Sequence, residues 1–233
     1  MIPENINIVK DKINRRCLKS GRNPDEIRLI AVSKNTGLAS ICGALEAGIK
    51  DLGENKAQEL SEKVPLIDKT VNWHFLGHLQ RNKVKYVVPV AFLIHSVDSI
   101  RLAGEIDQQA QKIGKVQKIL LEVKTSEEAT KYGISDPSEL LELARFCKSA
   151  PALELLGLMT VAPYSDDKEL IRKSFSKLRN LKTMLNERGF NLNELSMGMT
   201  NDYEIAIEEG ATMLRIGTAI FGERDYSKSW REQ

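Results

Sequence analysis

The chain has 233 residues, of which 42% are hydrophobic and 28% are charged, and these proportions are typical of a soluble globular protein. Its 34 basic and 32 acidic residues leave a net charge of +2, which argues against binding to nucleic acid or to a membrane surface. There is no apolar run of membrane-spanning length and no signal-peptide pattern, and the three cysteines (Cys17, Cys42 and Cys147) lack metal-type spacing. We therefore expect a cytoplasmic monomer with reduced thiols and a single domain over residues 1–233.

Hydrophobic periodicity predicts an N-terminal helix, roughly Glu4 to Gly21, followed by a regular alternation of strands and helices. The eight predicted strands are Arg28 to Lys34, Asp51 to Gly53, Asn72 to Gly77, Phe92 to Val97, Lys118 to Val123, Leu153 to Met159, Glu194 to Gly198 and Met213 to Gly217. The helical stretches between them are Leu38 to Gly48, Lys56 to Lys63, Ser99 to Lys112, Pro137 to Lys148, Asp167 to Arg188 and Asp202 to Glu209. Glycines stand where four of the predicted helices would end, at Gly48, Gly114, Gly189 and Gly210. Eight strand–helix units predict a single (β/α)₈ TIM barrel with an extra N-terminal helix, and a doubly wound open sheet is the alternative.

The first predicted strand is almost wholly apolar near its end and stops on a lysine, Lys34. An amine at the mouth of an apolar core loses hydration, which favours the neutral form that attacks an aldehyde to give a Schiff base. The alternative is that Lys34 simply ends the strand and extends into water. In a barrel the carboxyl ends of the strands form the active face, so the predicted fold favours the first interpretation.

Small and hydroxyl residues follow the last two predicted strands and are suited to holding a phosphate. Glycine lets backbone N–H groups approach an anion, and serine or threonine adds a hydroxyl donor, so Ser196, Gly217 and Thr218 form a candidate cradle. The alternative for Thr218 is that it caps the start of a helix. Strands one and eight are neighbours in a closed barrel, which would bring this cradle next to Lys34.

Strand alternation predicts that Arg215 points into the barrel with Met213 and Gly217. A buried guanidinium needs a partner, either an acidic residue of the barrel such as Glu122 or Glu154, or a bound polar ligand. Lysine, arginine and phosphate cradle together suggest an aldehyde that also carries a phosphate and an aromatic ring nitrogen. Pyridoxal 5'-phosphate has all three.

Several long motifs of the chain stand out in order along the sequence. They are Ala31-Val32-Ser33-Lys34, Gly53-Glu54-Asn55, residues 73–83 (Trp73 to Lys83), Leu156-Gly157-Leu158-Met159, Ser196-Met197-Gly198-Met199 and residues 215–222 (Arg215 to Gly222). They closely resemble the motifs of the pyridoxal phosphate homeostasis protein family, and the resemblance runs from near residue 8 to near Tyr226. Several long motifs that match in one order are a highly specific signal. The resemblance implies a barrel like the N-terminal domain of alanine racemase, with pyridoxal phosphate bound covalently to the strand-one lysine.

The same resemblance implies a role for individual residues. It makes Lys34 the Schiff-base lysine, puts the phosphate on Ser196, Gly217 and Thr218, sets Arg215 against the pyridine nitrogen, and lines the ring with Asn55 and Met199. The family's usual serine after the second methionine is Thr200 here, which keeps the hydroxyl. The loop from Lys124 to Gly133 matches the family only at Lys131-Tyr132-Gly133, and we expect no cofactor contact from it.

We expect a carrier of the cofactor and not an efficient enzyme. Racemases that resemble this barrel add a C-terminal β-domain and a second acid–base residue, whereas only sixteen residues follow the last predicted strand. Tyr164 and Tyr203 could supply a base, but we expect them to pack or to meet solvent. The protein would then hold pyridoxal phosphate and buffer it or deliver it to apo-forms of pyridoxal-phosphate enzymes, with a weak amino-acid racemase as the alternative.

A metal-dependent barrel hydrolase is a further alternative, because His74, His78 and His95 lie near strand ends. The predicted third strand would place His74 inside the barrel and His78 on the following loop, and carboxylates for a metal site are missing nearby. Basic residues on helical stretches, namely Lys56, Lys63, Lys83 and Lys85, read as solvated faces.

Overall fold

The structure is a computed structural model that describes residues 1–67, 70–126, 132–225 and 227–233. Within these ranges, eight parallel strands close into a barrel in chain order, and β8 pairs with β1. The strands are β1 (Arg28–Val32), β2 (Asp51–Glu54), β3 (Asn72–Phe75), β4 (Leu93–Val97), β5 (Gln117–Glu122), β6 (Leu153–Met159), β7 (Glu194–Ser196) and β8 (Met213–Ile216). The predicted TIM barrel is therefore confirmed, and the doubly wound alternative is wrong.

Helices surround the barrel. Across the described ranges they are α1 (Ile2–Lys19), α2 (Leu38–Glu46), α3 (Ala57–Lys63), α4 (Val84–Val87), α5 (Ile100–Lys112), α6 (Pro137–Ser149), α7 (Lys168–Glu187), α8 (Tyr203–Glu208) and α9 (Thr218–Phe221). Short 3₁₀ turns occupy Pro24–Glu26, Val64–Leu66, Arg81–Lys83 and Trp230–Glu232. The predicted N-terminal helix is α1, which packs against α2, α8 and α9. No helix in the described part of the chain is long and apolar enough to cross a membrane.

The ends of the helices follow the sequence signals. The side chains of Ser99, Asp136 and Asp167 accept hydrogen bonds from backbone N–H groups at the starts of α5, α6 and α7. All four glycines predicted to end helices have positive φ, between +63° at Gly114 and +93° at Gly210. Only glycine takes this conformation without steric cost, so the chain turns where the sequence indicates.

The core has two parts because strand residues alternate between the helices and the barrel interior. Most buried apolar side chains lie between the strands and the helices. A small interior cluster is formed by Ile30, Leu93, Leu120, Met159 and Met213. On β8, Met213 belongs to this cluster, whereas Leu214 and Ile216 belong to the outer layer. The predicted alternation on β8 is confirmed, and it directs Arg215 into the barrel.

Candidate cofactor-binding site

The structure brings the predicted site residues to one place, the carboxyl ends of four strands that are consecutive around the closed barrel. Lys34 follows β1, Asn55 follows β2, Ser196 ends β7 with Met199 just beyond it, and Arg215 lies in β8 with Gly217 and Thr218 after it. Because β8 pairs with β1, the cradle predicted on β8 lies next to the strand that carries Lys34.

Lys34 lies two residues beyond the end of β1 and is half-buried. Ile30 belongs to the interior cluster, so the alternation of β1, if continued past Val32, would direct the Lys34 side chain toward the barrel axis. The next residue, Asn35, has φ of +49°, a left-handed conformation that costs free energy for a residue with a side chain. The chain therefore turns sharply right after the lysine, and other contacts must hold that turn.

A buried cluster formed by Lys63, Glu54 and Glu59 holds the turn from behind. Lys63 Nζ lies 2.9 Å from Glu54 Oε1 and 2.6 Å from Glu59 Oε1, and it donates to the backbone oxygen of Ser33 at 2.7 Å. Glu59 Oε1 in turn accepts the N–H of Asn35 at 2.6 Å. Both neighbours of the predicted Schiff-base lysine are thus fixed by one set of buried charges.

The prediction that Lys63 lies on a solvated helix face is wrong, because its side chain is 0% exposed. It occupies the inner side of α3 and lies under the ring of Trp230, with Nζ 5.3 Å from the ring centroid. Two carboxylates share this one ammonium group. Burial raises the pKa of Glu54 to about 7, a shift that Lys63 opposes and Glu59 reinforces.

The cradle predicted on β8 has the properties of an anion site. Helix α9 starts at Thr218 with Gly217 as its N-cap, so the alternative in which Thr218 is the N-cap is wrong. In the described part of the chain, the N–H groups of Gly217 and Thr218 have no hydrogen-bond acceptor. Thr200 Oγ1 lies 3.3 Å from the N of Ala219 and accepts its hydrogen bond, so the hydroxyl of Thr200 borders the same place.

Arg224 completes this end of the site and was missed by sequence reasoning. Its Nη2 donates to the backbone oxygen of Val32 at 2.6 Å. A Cβ on Gly217 would lie only 2.5 Å from the same nitrogen, so the guanidinium fills the space that glycine leaves open. Arg224 Nε is buried without a hydrogen-bond partner among the described residues. Two open N–H groups next to a guanidinium suit the charge of a phosphate.

Arg215 is buried inside the barrel and forms hydrogen bonds to neutral acceptors. Its Nη1 donates to Ser196 Oγ at 2.6 Å and its Nη2 to the backbone oxygen of Thr160 at 2.8 Å. Burial lowers the pKa of Arg215 to about 10, against the opposing effect of Asp202 and Glu122. Within the described contacts it makes no direct ion pair, and Glu154 is exposed, so the alternative of an internal salt bridge has no support there.

Ser196 lies at the junction of two sets of contacts. Its side chain is buried, and its Oγ accepts from Arg215 and lies 2.9 Å from His95 Nδ1. A hydroxyl has a single hydrogen to donate. The contact of Ser196 with a phosphate therefore stays a prediction, and it would compete with His95 for that hydrogen.

Two of the three histidines contact each other inside the barrel, and the third lies on a loop. His74 is inside the barrel and His78 on the loop after β3, as predicted, and His78 lies 3.7 Å from a carboxylate oxygen of Asp98. His74 Nδ1 lies 2.8 Å from His95 Nε2, so these two rings are occupied with each other. No group of three potential metal ligands occurs in the described ranges, and the hydrolase alternative has no support there.

The remaining residues considered in the sequence analysis are Asn55, Met199 and two tyrosines. Asn55 is half-buried, and Met199 is 37% exposed in a turn closed by its N–H donating to Asp202 Oδ1 at 2.6 Å. Tyr164 is 94% exposed, whereas Tyr203 is 5% exposed and packs in the core with α8. The two tyrosines thus meet solvent or pack, as the sequence predicted.

The loop from 124 to 133 is described only at its two ends, and Lys131 lies outside the described residues. Tyr132 stacks on His78 with a distance of 4.0 Å between the ring centroids.

Comparison with known proteins identifies the family. The alanine racemase N-terminal domain family matches residues 9–225. Pyridoxal phosphate homeostasis proteins of Aquifex aeolicus (strain VF5) and Escherichia coli (strain K12) are 42% and 38% identical to this chain. These matches cover 96% and 97% of this chain, respectively, and 98% of each relative. The chain belongs to the pyridoxal phosphate homeostasis protein family. The resemblance found in the sequence motifs is confirmed.

Solved structures agree with this family. The structure of PipY from Synechococcus elongatus PCC7942 with PLP bound is 33% identical, has a TM-score of 0.85, and is matched over 95% of this chain and 100% of that chain. An alanine racemase of Clostridium difficile 630 has a TM-score of 0.75 at 16% identity, over 98% of this chain and 59% of that chain. The second likeness shows the shared barrel fold alone.

Proposed function

We propose that the protein binds pyridoxal 5'-phosphate as a Schiff base on Lys34 and buffers it or delivers it to apo-forms of pyridoxal-phosphate enzymes, without efficient turnover. The observation that carries the proposal is the meeting of Lys34 with the cradle on the neighbouring strand, where the N–H groups of Gly217 and Thr218 lie beside Arg224. Membership of the pyridoxal phosphate homeostasis protein family and the PLP-bound PipY structure support it.

Each end of the cofactor has a partner among the residues of the site. The amine of Lys34 would be the nucleophile for the aldehyde, and that condensation would release one water. The N–H groups of Gly217 and Thr218 would hold the phosphate, with Arg224 balancing its charge and the hydroxyl of Thr200 beside it. Asn55 and Met199 would line the ring. Ser196 remains a proposed phosphate contact, and it also accepts a hydrogen bond from Arg215.

Arg215 makes the site a poor catalyst for carbanion chemistry. When bound, pyridoxal phosphate supplies an electron sink whose strength depends on protonation of the pyridine nitrogen. A guanidinium facing that nitrogen disfavours its protonation, because two adjacent positive charges repel each other. Of the tyrosines considered as second bases, Tyr164 is 94% exposed and Tyr203 is packed in the core. These features support binding without efficient turnover.

Borohydride reduction tests the covalent site directly. We expect the protein to gain a visible absorption band on addition of pyridoxal phosphate, and reduction to fix one cofactor on the peptide that contains Lys34. Lys34→Ala should lose both signals, whereas Lys56→Ala, which removes an exposed lysine beyond β2, should retain them. An adduct mapped to any other lysine would contradict the assignment.

The carrier role is tested separately from binding. We expect the loaded protein to activate an apo-enzyme that depends on pyridoxal phosphate, and to interconvert D- and L-alanine only at trace rates. Racemisation at the rate of an ordinary enzyme would favour the racemase alternative, even with the cofactor correctly mapped to Lys34.

A further inference from the structure

A continuous chain of hydrogen bonds crosses the barrel interior. Asp51 Oδ1 lies 3.0 Å from His74 Nε2, His74 Nδ1 lies 2.8 Å from His95 Nε2, and His95 Nδ1 lies 2.9 Å from Ser196 Oγ. Ser196 Oγ accepts the hydrogen bond from Arg215 at 2.6 Å. Asp51 begins β2, so this interior relay (Asp51, His74, His95 and Ser196) joins the amino end of the barrel to the active face.

The carboxylate at the start of the relay fixes its direction. Hydrogen bonds, His74 first among them, hold the pKa of Asp51 below its usual value despite partial burial, so Asp51 is a carboxylate and only accepts. Burial lowers the pKa of His74, and lowers that of His95 further, so both rings are neutral. His74 must then carry its hydrogen on Nε2 and accept on Nδ1.

The rest of the relay follows from that choice of tautomer. His95 donates from Nε2 to His74 and accepts on Nδ1. Among the described residues, the hydrogen bonded to that nitrogen is the one on the hydroxyl of Ser196. A hydroxyl that donates its hydrogen becomes a better acceptor, because successive hydrogen bonds polarise one another. The lone pair that Ser196 offers to Arg215 is therefore strengthened by three bonds behind it.

We propose that Asp51, His74 and His95 are positioning residues that hold the guanidinium of Arg215 through Ser196. From the opposite end of the barrel, they thereby fix where its positive charge lies relative to the pyridine nitrogen of the cofactor. The inference rests on the proposed function, since Arg215 acquires this task only with the cofactor in place. This positioning role differs from a simple packing role because each hydrogen bond of the relay has a defined donor and acceptor. Reversal would make Ser196 accept from both His95 and Arg215 and turn its hydrogen elsewhere.

Nitrogen NMR of the ligand-free protein tests the direction without any variant of the relay. The chain has three histidines, and His78→Gln removes the signals of the half-exposed one, which leaves two rings to observe. We expect both His74 and His95 to be neutral, with the hydrogen on Nε2. A hydrogen on Nδ1 of either ring, or a doubly protonated ring at neutral pH, would overturn the relay whether or not the protein binds the cofactor.

Asp51→Asn tests the positioning role. The amide has the same shape as the carboxylate, but it can donate a hydrogen bond to His74 and so allow the direction of the relay's hydrogen bonds to reverse. Arg28→Gln is the matched control: it removes the 3.2 Å contact between Arg28 and Asp51 and leaves the carboxylate in the relay. We expect Asp51→Asn to weaken binding of pyridoxal phosphate about fivefold, the order expected for one hydrogen bond, and Arg28→Gln to leave it unchanged.

A cofactor analogue with carbon in place of the ring nitrogen separates this role from general damage. The fivefold loss in Asp51→Asn should disappear with the analogue, because Arg215 then has no ring nitrogen to face. An equal loss with both ligands would overturn the positioning role. Failure of the wild-type protein to take up either ligand would instead contradict the proposed function, and the tautomers would still decide the direction of the relay.

Discussion

Lys63→Met probes the buried cluster behind Lys34 and should strongly destabilise the fold. Methionine is close to lysine in length, so the change mainly removes a charge. It leaves the carboxyl groups of Glu54 and Glu59, which are 0% and 8% exposed, without the ammonium group that lies 2.9 and 2.6 Å from their oxygens. Removing one partner of a buried ion pair costs about 3–5 kcal/mol of the free energy of unfolding.

The loss of unfolding free energy in Lys63→Met should grow as the pH rises. As the pH passes the pKa of Glu54, about 7, the native wild-type protein releases the Glu54 proton, whereas the native variant without Lys63 retains it because two unpaired carboxylates at Glu54 and Glu59 would repel each other; the unfolded chains bind carboxyl protons alike. The native variant therefore loses stability relative to wild type with increasing pH, by up to about 1.4 kcal/mol per pH unit for one proton. The difference should be smaller at pH 5 than at pH 8.

Urea unfolding at pH 5, 6.5 and 8 measures this difference. Lys56→Met is the control, since Lys56 is an exposed lysine directly before the same helix, and its loss should stay within about 0.5 kcal/mol. A loss below about 1 kcal/mol for Lys63→Met, or one that does not change with pH, would refute the conclusion that the lysine compensates two buried carboxyl groups.

Three further outcomes are expected. Glu54→Gln should remove a pH dependence of stability, because the pKa of Glu54 is raised to about 7 and the native protein therefore holds a proton that the unfolded chain has lost. Between pH 4.5 and 8, the free energy of unfolding of wild type should fall by up to about 3 kcal/mol relative to the variant, as measured by urea titrations. Parallel pH curves for the two proteins would contradict this. Gly217→Ala should displace Arg224 and weaken the binding of pyridoxal phosphate about tenfold, while the binding of pyridoxal changes little, as measured by the absorption of the bound ligand. Equal losses of affinity for the two ligands would argue against a phosphate cradle. Ser196→Ala should weaken the binding of both ligands alike if Ser196 acts through its contact with Arg215, and a loss confined to the phosphorylated ligand would support the predicted contact of Ser196 with the phosphate.

The fold was predictable because its signals are local. A run such as Leu153 to Met159 is apolar and short enough for a buried strand, and the structure has a strand with those bounds. Glycines such as Gly48 mark helix ends because few other residues accept positive φ. The predicted first strand reached Lys34, but β1 ends at Val32, because hydrophobicity does not reveal where ladder hydrogen bonds stop.

The contacts that surround the site depend on distant parts of the chain, and the sequence does not reveal them. The four-residue spacing of Glu59 and Lys63 is readable as an ordinary helix pair, but Glu54 and Ser33 reach the same lysine only after β1, β2 and α3 pack together. Inward placement of His74 follows from strand alternation, whereas its contact with His95 requires the register that opposes His74 to Leu93. Arg224 reaches Val32 across 192 positions of sequence.

The contacts of Arg215, which include no salt bridge among the described residues, bear on what the site can do. A carboxylate partner would have neutralised the guanidinium and left the pyridine nitrogen free to take a proton. The structure instead gives Arg215 two uncharged acceptors, the hydroxyl of Ser196 and the carbonyl of Thr160, and leaves the carboxyl group of Glu122 to act only through space. Burial raises the pKa of Glu122 to about 7, an effect that Asp98 reinforces and Arg215 opposes, so near neutrality that group carries only part of a negative charge. The positive charge that we propose to face the ring would therefore be only partly compensated, which would disfavour carbanion chemistry and suit the proposed role of holding the cofactor without turning it over.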